Sequence, residues 1–229
     1  MSADLVLGIV GATGRLGTAV LGECARQGVR VGVEAASTGW RITVDATVLV
    51  DASGPGALDD TIGYCERTGA ALIYAVSSVP AEGCDRLAGL STQVPVVLAD
   101  NLSLGHWLQV SLIRSVASLT RGFPRQPRVS VFERHPVTKA DRPSASAKSL
   151  AAEWDPPAAI DSRRAGMPVS DHVAVFDLPG VCLTIGHHVG DLRAAATGLL
   201  AAAGHVRGGS PGLLRIFDVY TDIYGARSR

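Results

Sequence analysis

A glycine-rich turn near the N-terminus places the strongest constraint on the fold of this chain of 229 residues. The apolar run from Leu5 to Val10 is followed directly by Gly11-Ala-Thr-Gly-Arg-Leu-Gly17, and an apolar segment with helical spacing extends from Ala19 to Ala25. A buried strand, a glycine turn and a helix in this order are typical of a dinucleotide-binding unit. The three glycines would permit, in chain order, a tight turn, close approach of a pyrophosphate to the backbone, and close packing of helix on strand.

The first hundred residues alternate between short apolar runs and helical segments. Near-continuous apolar runs are typical of parallel strands that are buried on both faces. The alternation therefore predicts an α/β fold with a Rossmann-type, doubly wound parallel sheet. The predicted strands are Leu5–Val10, Val29–Val33, Thr47–Asp51, Ala70–Val76 and Val94–Ala99, and the predicted helices between them include Ala57–Thr68 and Ala81–Leu90.

The pattern changes after Asn101, where a long amphipathic helix begins. We therefore predict a second, smaller α+β domain over residues 102–210. Residues 1–101 and 211–229 would form the dinucleotide-binding domain. The predicted helices of the second part are Leu104–Leu119, Ser144–Glu153 and Leu192–Ala203, and its predicted strands are Arg128–Phe132, Ala158–Arg164, His172–Phe176 and Cys182–His187.

Charge and cysteine usage favour an intracellular enzyme of small molecules. The 21 basic and 21 acidic residues cancel, so the composition predicts no nucleic-acid partner and no anionic membrane surface. No apolar run reaches the roughly 18 residues of a membrane span. The four cysteines are scattered without a Cys-x-x-Cys pair, which predicts buried thiols in a reducing compartment rather than metal ligands or disulfides. With no basic signal region at the N-terminus, we expect a cytoplasmic protein.

Glu34 follows the second apolar run, seventeen residues after Gly17. An acid at this distance from a glycine turn is suited to bond a ribose hydroxyl of a dinucleotide. The same carboxylate would repel a 2′-phosphate, so the sequence favours NADH slightly over NADPH. Arg15 or Arg41 could compensate for that repulsion.

The segment from Glu133 to Ala147 contains the candidate catalytic residues. His135 and Lys139 lie four residues apart in a chain that has two lysines and nineteen arginines. A lysine retained in such a chain indicates a need for a titratable amine, because guanidinium does not release its proton. Pro143 is followed by three small residues where a helix begins, and free backbone N–H groups at such a position bind anions. The alternative is a charged surface loop.

Five motifs in this order resemble the dihydrodipicolinate reductase family along nearly the whole chain. The opening turn and Glu133–Ala147 resemble the nucleotide turn and the signature segment of that family. The others are Ala99-Asp-Asn-Leu-Ser103, Ser162-Arg-Arg-Ala-Gly166 followed by His172, and Gly212-Leu-Leu-Arg-Ile-Phe-Asp-Val219.

The resemblance implies an NAD(P)H-dependent reductase that transfers a hydride to a cyclic, carboxylated imine or enamine. It also implies that residues 102–210 bind the substrate and form a homotetramer. It assigns Lys139 as the catalytic lysine and His135 as the proton donor or an orienting partner. Ser144, Ala145 and Ser146 would bind a substrate carboxylate. The coenzyme would contact Gly11, Thr13, Gly14, Arg15, Leu16, Glu34, Ala75, Ser77, Ala99, Leu102 and Arg164.

Several positions depart from the family pattern. Pro136 replaces the second signature histidine, Ala145 replaces a glycine of the carboxylate-binding turn, and Leu102 replaces the hinge phenylalanine. These changes favour a reductase of specialised metabolite biosynthesis over the enzyme of lysine biosynthesis, which stays the alternative. Two other classes also stay open: a nucleotide-binding protein without reductase activity, and a dehydratase or isomerase. No metal is predicted, because adjacent histidines such as His187 and His188 point to opposite faces of a strand.

Overall fold

The computed structural model describes residues 4–76, 79, 81–166 and 170–225. It divides the chain into two compact units. The first unit comprises Met1–Leu102 and Ala195–Arg229, and the second comprises Ser103–Ala194. In the sequence prediction, the C-terminal part of the first domain starts at residue 211. In the structure, the corresponding part of the first unit starts at Ala195.

Eleven strands and seven α-helices are defined in the described residues. The N-terminal part of the first unit contains β1 (Val6–Val10), α1 (Arg15–Gln27), β2 (Arg30–Ala36), β3 (Gly39–Ile42), β4 (Val48–Asp51), α2 (Leu58–Thr68), β5 (Ala71–Tyr74), α3 (Ala81–Leu90) and β6 (Pro95–Leu98). The second unit follows with α4 (Leu104–Thr120), β7 (Arg128–His135), α5 (Ala145–Ala152), β8 (Ala159–Arg164), β9 (Ser170–Leu178) and β10 (Val181–Val189). The chain ends with α6 (Arg193–Val206), β11 (Gly212–Arg215) and α7 (Ile216–Tyr224).

The first unit is built on a seven-stranded sheet with the order β11-β6-β5-β4-β1-β2-β3. All neighbouring strands are parallel except β2 and β3. Every residue of β1, β4 and β5 is buried, which is why these strands are almost uniformly apolar in the sequence. The prediction of a Rossmann-type, doubly wound sheet is confirmed. The edge strand β3 was not predicted, because its four residues are partly exposed and lack an apolar run.

The glycine turn brings α1 against the end of β1. Gly11 has a φ of +82°, which L side chains rarely adopt. A Cβ atom on Gly17 would lie 2.1 Å from the carbonyl oxygen of Gly11. The helix can approach the turn this closely only because position 17 has no side chain.

The alanine-rich helix α6 explains why the C-terminal part of the first unit starts before residue 211. Its buried residues include Ala196, Leu199 and Ala203, and they form an apolar face over most of the helix. A Cβ atom on Gly198 would lie 2.1 Å from the carbonyl oxygen of Leu102, and the hydroxyl of Tyr220 donates to that same oxygen at 2.8 Å. The helix therefore packs with residues of the first unit and belongs to it.

The second unit contains a four-stranded sheet with the order β10-β9-β7-β8. Strands β7 and β8 are parallel, and the other pairs are antiparallel. Strand β7 extends to His135, three residues beyond its predicted end, so Glu133 and His135 lie on one face of the sheet. Helices α4 and α5 both contact residues of this face. Among the described residues, no helix combines the length and apolar character needed to cross a membrane.

The four cysteines are free thiols. Cys24 and Cys65 are buried, as predicted, whereas the prediction was wrong for Cys84 and Cys182, which are exposed.

Candidate active site

Several predicted coenzyme contacts lie at one edge of the first sheet. Gly11, Ala75 and Ala99 directly follow β1, β5 and β6, and the carboxyl ends of parallel strands form a common ligand-binding edge. Gly14 is the N-cap of α1, and since it has no side chain, it leaves the first backbone N–H groups of the helix without a side-chain cap. Thr13, Gly14 and Arg15 are exposed, and Leu16 is partly exposed. This turn fits a pyrophosphate group.

Glu34 lies within β2, because this strand continues to Ala36. It is directly opposite Arg41 of β3, and the Arg41 guanidinium donates to the Glu34 carboxylate. The predicted ribose-binding acid is therefore neutralised by a neighbouring cation. Leu102 is 5% exposed and lies within the first unit, while Ser77 falls outside the described residues.

A buried carboxylate, Glu133, joins four elements of the second unit. The backbone N–H of Ser144, at the start of α5, donates to the two Glu133 oxygens at 3.1 and 3.2 Å, and the Ser144 hydroxyl also donates to Glu133. Arg164 of β8 lies 3.1 Å from Oε1 of Glu133. The Nε2 atoms of His135 and of His172 in β9 lie 3.2 and 3.7 Å from Oε2. These five residues are called the Glu133 network below.

The Glu133 network holds a negative charge inside the unit. Burial by itself would raise the pKa of Glu133, but hydrogen bonds from Ser144 and Arg164 outweigh it and lower this pKa to about 2. The carboxylate is therefore ionised at neutral pH. The predicted carboxylate-binding residue Ser144 is 1% exposed and already donates to a carboxylate of the protein itself.

His135 and Lys139 differ in accessibility. The His135 ring is buried at the end of β7, with 5% of the residue exposed, and its Nε2 faces Glu133. The Lys139 side chain is 35% exposed, and its Nζ lies 2.7 Å from Oδ1 of Asp141. Partial burial opposes ionisation of Asp141, but the hydrogen bond from Lys139 and the backbone N–H of Ala145 lower its pKa. Lys139 is thus the more accessible of the two predicted proton donors.

The carboxylate of Asp141 lies at the N-terminus of α5. Since Ala145 N–H bonds to Asp141 and Ser144 N–H bonds to Glu133, two of the predicted anion-binding groups are satisfied by acids of the chain. Ser146 is partly exposed at the same helix end. A substrate carboxylate that docks there would have to displace Asp141 or use the remaining donors.

Arg164 holds the loop between β7 and α5. Its Nε donates to the carbonyl oxygen of Lys139 at 3.2 Å, and its other nitrogens donate to the Asp141 carbonyl and to the Glu133 carboxylate. The Arg164 side chain is 11% exposed. These contacts make Arg164 an internal support of the loop, and its predicted contact with the coenzyme stays a prediction.

A second group of buried histidines adjoins the Glu133 network. The rings of His172 and His187 are stacked with centroids 5.3 Å apart, and His106 lies edge-on to His187 at 6.1 Å. Nδ1 of His187 donates to Oε1 of Gln109 at 2.7 Å, and the amide nitrogen of Gln109 donates to the carbonyl oxygens of His172 and Ile185. Burial lowers the pKa of His106 to about 4 and that of His172 to about 3, so both rings are neutral at pH 7.

The sequence analysis did not identify Glu133 and His172 as site residues. The alternation of Glu133 and His135 along a strand was the available signal, since residues two apart point to the same face. In the described residues, Glu133, His135 and His172 also form the one group with atoms close enough to hold a metal, within 4.8 Å of one another. Because Ser144 and Arg164 already donate to the carboxylate, we interpret this group as part of the Glu133 network. The absence of a metal stays a prediction.

A doubly wound parallel sheet with an open glycine turn, as in the first unit, is typical of dinucleotide-dependent oxidoreductases. The family model described as "Dihydrodipicolinate reductase, C-terminus" matches residues 105–220, just over half of the chain. The chain therefore belongs to the dihydrodipicolinate reductase family, as its motifs predicted.

Similar proteins agree with this membership. The 4-hydroxy-tetrahydrodipicolinate reductase of Thermosipho africanus is 26% identical over 95% of this chain and 98% of its own length. The enzyme of that name from Stenotrophomonas maltophilia is 28% identical over 75% of this chain and 72% of its own length. A dipicolinate-bound dihydrodipicolinate reductase from Paenisporosarcina sp. TG-14 has the same fold, with a TM-score of 0.73 and 14% identity over 93% of this chain and 98% of that one.

Proposed function

We propose that this protein reduces a cyclic, carboxylated imine or enamine with NADH or NADPH. The observation that carries the proposal is the placement of Lys139, an accessible ammonium, on a loop that leads into the N-terminus of α5. A cationic donor and an anion-binding helix end within one short segment suit an acceptor that has a carboxylate beside its unsaturated bond.

Separate parts of the chain would hold the two ligands. The turn from Gly11 to Gly17 would bind the pyrophosphate of the coenzyme, and residues after β5 and β6, including Ala75 and Ala99, would line its path. When bound, the reduced nicotinamide supplies a hydride. The first turn of α5, with Ala145 and Ser146, would bind the substrate carboxylate after Asp141 is displaced.

Lys139 and His135 would have different roles. Lys139 would donate a proton to the acceptor atom that gains electron density, or stabilise the charge that develops there. His135 is buried against Glu133, which favours the orienting role over direct proton donation. General acid catalysis of this kind contributes on the order of 10²–10⁴ in rate.

The names of the relatives and two residues of this chain bear on which acceptor is reduced. The relatives are named for 4-hydroxy-tetrahydrodipicolinate, which supports this compound as one candidate. Pro136 lacks the side-chain hydrogen bond of a histidine, and Ala145 adds a methyl group to the anion-binding turn. These two residues favour a different carboxylated cyclic imine or enamine, in the biosynthesis of a specialised metabolite.

Coenzyme oxidation with purified protein tests the proposed function. The assay compares 4-hydroxy-tetrahydrodipicolinate with other cyclic imines that do or do not have a carboxylate next to the C=N bond. We expect turnover to require the carboxylate, and dipicolinate to inhibit competitively. Tight coenzyme binding without oxidation on any acceptor would favour the nucleotide-binding alternative. Solvent-isotope incorporation without coenzyme oxidation would favour a dehydratase or isomerase.

We expect NADH to bind more tightly than NADPH because Arg41 is engaged by Glu34. Replacement of Glu34 by Gln removes the negative charge and releases Arg41 to bind a 2′-phosphate. Relative to NADH, the affinity for NADPH should increase roughly tenfold. This change corresponds to about 1.4 kcal/mol, the contribution expected from one ion pair. Fluorescence titration measures both constants. The prediction is wrong if wild type clearly prefers NADPH or if Glu34→Gln leaves the ratio unchanged.

We further propose a homotetramer formed through the open face of the second sheet. Phe132 is 44% exposed on the face opposite Glu133, and Val173 and Val175 are partly exposed on the same face. The described helices of this unit contact the other face. The same face also carries the Arg134–Asp171 ion pair. A surface that combines apolar and charged side chains in this way is typical of a subunit interface.

Phe132→Glu should therefore reduce the sedimenting mass, because it adds a charge to the open face. Leu119→Glu is the matched control, since Leu119 is 77% exposed on α4 of the other face. Sedimentation velocity at micromolar concentration compares the two variants with wild type. A wild-type protein that sediments as a monomer would contradict the proposed homotetramer.

A further inference from the structure

We propose that Glu133 is a positioning residue of the reductase site, whose charge holds Arg164, His135 and the start of α5 in their reactive arrangement. This inference rests on the proposed reductase activity and adds a residue that acts through its neighbours. Glu133 has no exposed side-chain surface, so its effect must pass through the groups that surround it.

The contacts of Glu133 converge from every element packed around it. Strand β8 contributes Arg164, helix α5 contributes Ser144, strand β9 contributes His172, and β7 itself contributes His135. These are the charged and titratable groups that face the carboxylate within the described residues. Arg164 in turn donates to the carbonyl oxygens of Lys139 and Asp141. Glu133 is therefore connected to the proposed proton donor through one intervening side chain.

The charge of Glu133 offsets that of Arg164. The two groups lie 3.1 Å apart, and both side chains are largely withdrawn from solvent. Removal of one partner from a buried pair leaves the other charge uncompensated. An uncompensated Arg164 would shift the loop that it supports and would make neighbouring proton donors release their protons more readily.

Glu133 also restrains the anion-binding helix end. It accepts both the N–H and the hydroxyl of Ser144, so it fixes the direction of the first turn of α5 while taking Ser144 away from the substrate. A neutral residue at position 133 would release Ser144 and Arg164, two donors with affinity for carboxylates. Substrate affinity should then be maintained or increased while turnover falls. A purely structural role predicts that both deteriorate together.

Glu133→Gln is the decisive variant because it keeps the shape and removes the charge. We expect turnover to fall on the order of 10- to 100-fold, as misplaced reacting groups do, with the KM for the acceptor unchanged or lower. The alkaline limb of the pH–turnover profile should move to lower pH, because the proton donors lose a stabilising negative charge. Glu133→Asp keeps the charge but shortens the side chain, so it should reduce turnover without moving that limb.

Glu153→Gln is the matched control. Glu153 pairs with Arg114 at 2.6 Å in the same unit, outside the Glu133 network. It should retain wild-type turnover and the wild-type pH profile. The inference is overturned if Glu133→Gln stays within threefold of wild type, or if its KM rises while its pH profile is unchanged. Loss of the folded near-ultraviolet circular dichroism in both Glu133 variants would also overturn it, since Glu133 would then be required for folding.

Dipicolinate binding distinguishes failure of this inference from failure of the proposed function. A wild-type protein that oxidises no coenzyme on any acceptor contradicts the reductase assignment alone. In that case, calorimetric titration of Glu133→Gln with dipicolinate still tests the network. We expect binding at least as tight as in wild type, and binding weakened tenfold or more would contradict the role given to Glu133.

Discussion

Lys139→Ala should lower the rate of hydride transfer on the order of 10²–10⁴, or roughly 3–5 kcal/mol in the barrier. The reason is that Lys139 carries an accessible amine on the loop between β7 and α5, whereas His135 is buried against Glu133. A proton donor acts in the transition state, so the loss should fall on turnover much more than on coenzyme affinity. Single-turnover oxidation of bound coenzyme measures this rate directly.

The only other lysine of the chain supplies the matched control. Lys148 is exposed on α5, one turn beyond the anion-binding helix end, and Lys148→Ala should retain wild-type rates. Lys139→Arg separates the two roles of the amine, because guanidinium keeps the charge but does not release its proton. If charge stabilisation dominates, Lys139→Arg should recover much of the rate. Hydride transfer at the wild-type rate in folded Lys139→Ala would exclude Lys139 from the mechanism.

Acid should destabilise the second unit beginning near pH 6.5, well above the usual range of carboxylates. Burial lowers the pKa of His106 to about 4 and that of His172 to about 3, from about 6.5 in the unfolded chain. These folded-state values lie below the unfolded one. The stabilisation is therefore complete above pH 6.5 and is lost as pH falls toward 3–4. Each shift corresponds to about 3–5 kcal/mol, and because the rings interact, the two contributions are not additive.

Urea unfolding at pH 7.5 and 4.5 measures this loss. In a Trp40→Phe background, the remaining tryptophans, Trp107 and Trp154, both report on the second unit. His106→Gln cannot take up a proton, so it should flatten the dependence of unfolding free energy on pH. His205→Gln is the control, because its ring is 38% exposed at the end of α6. Equal unfolding free energies at the two pH values in the Trp40→Phe protein would contradict the prediction.

The oligomer and coenzyme predictions depend on surfaces that the sequence indicates only weakly. Phe132 is one apolar residue in a strand of mixed character, and its exposure follows from the alternation of β7. Arg41 belongs to no motif that would indicate its partner. Its pairing with Glu34 follows from the register of β2 and β3. Phe132→Glu and Glu34→Gln therefore test features that arise only when the strands are paired.

The sequence by itself determined the family and the class of fold. Apolar runs such as Val6–Val10, which is buried over its whole length, are typical of a parallel sheet, so they indicate a doubly wound fold. Gly11 and Gly17 are required by local geometry at the end of β1, which makes the turn recognisable from a few residues. His135, Lys139 and Ser144 were predicted as site residues because they lie in one continuous segment.

Only the tertiary structure decided how these residues are connected. Glu133, Arg164 and His172 lie on three strands, and their contacts arise from the registers in which Glu133 is opposite His172 and Arg164 is opposite His135. The sequence separation between them carries no information about those registers. For the same reason, the sequence presented Ser144 as a free anion receptor and Arg164 as a ligand contact. In the folded protein, a buried carboxylate must be compensated by nearby donors, and it engages both of them.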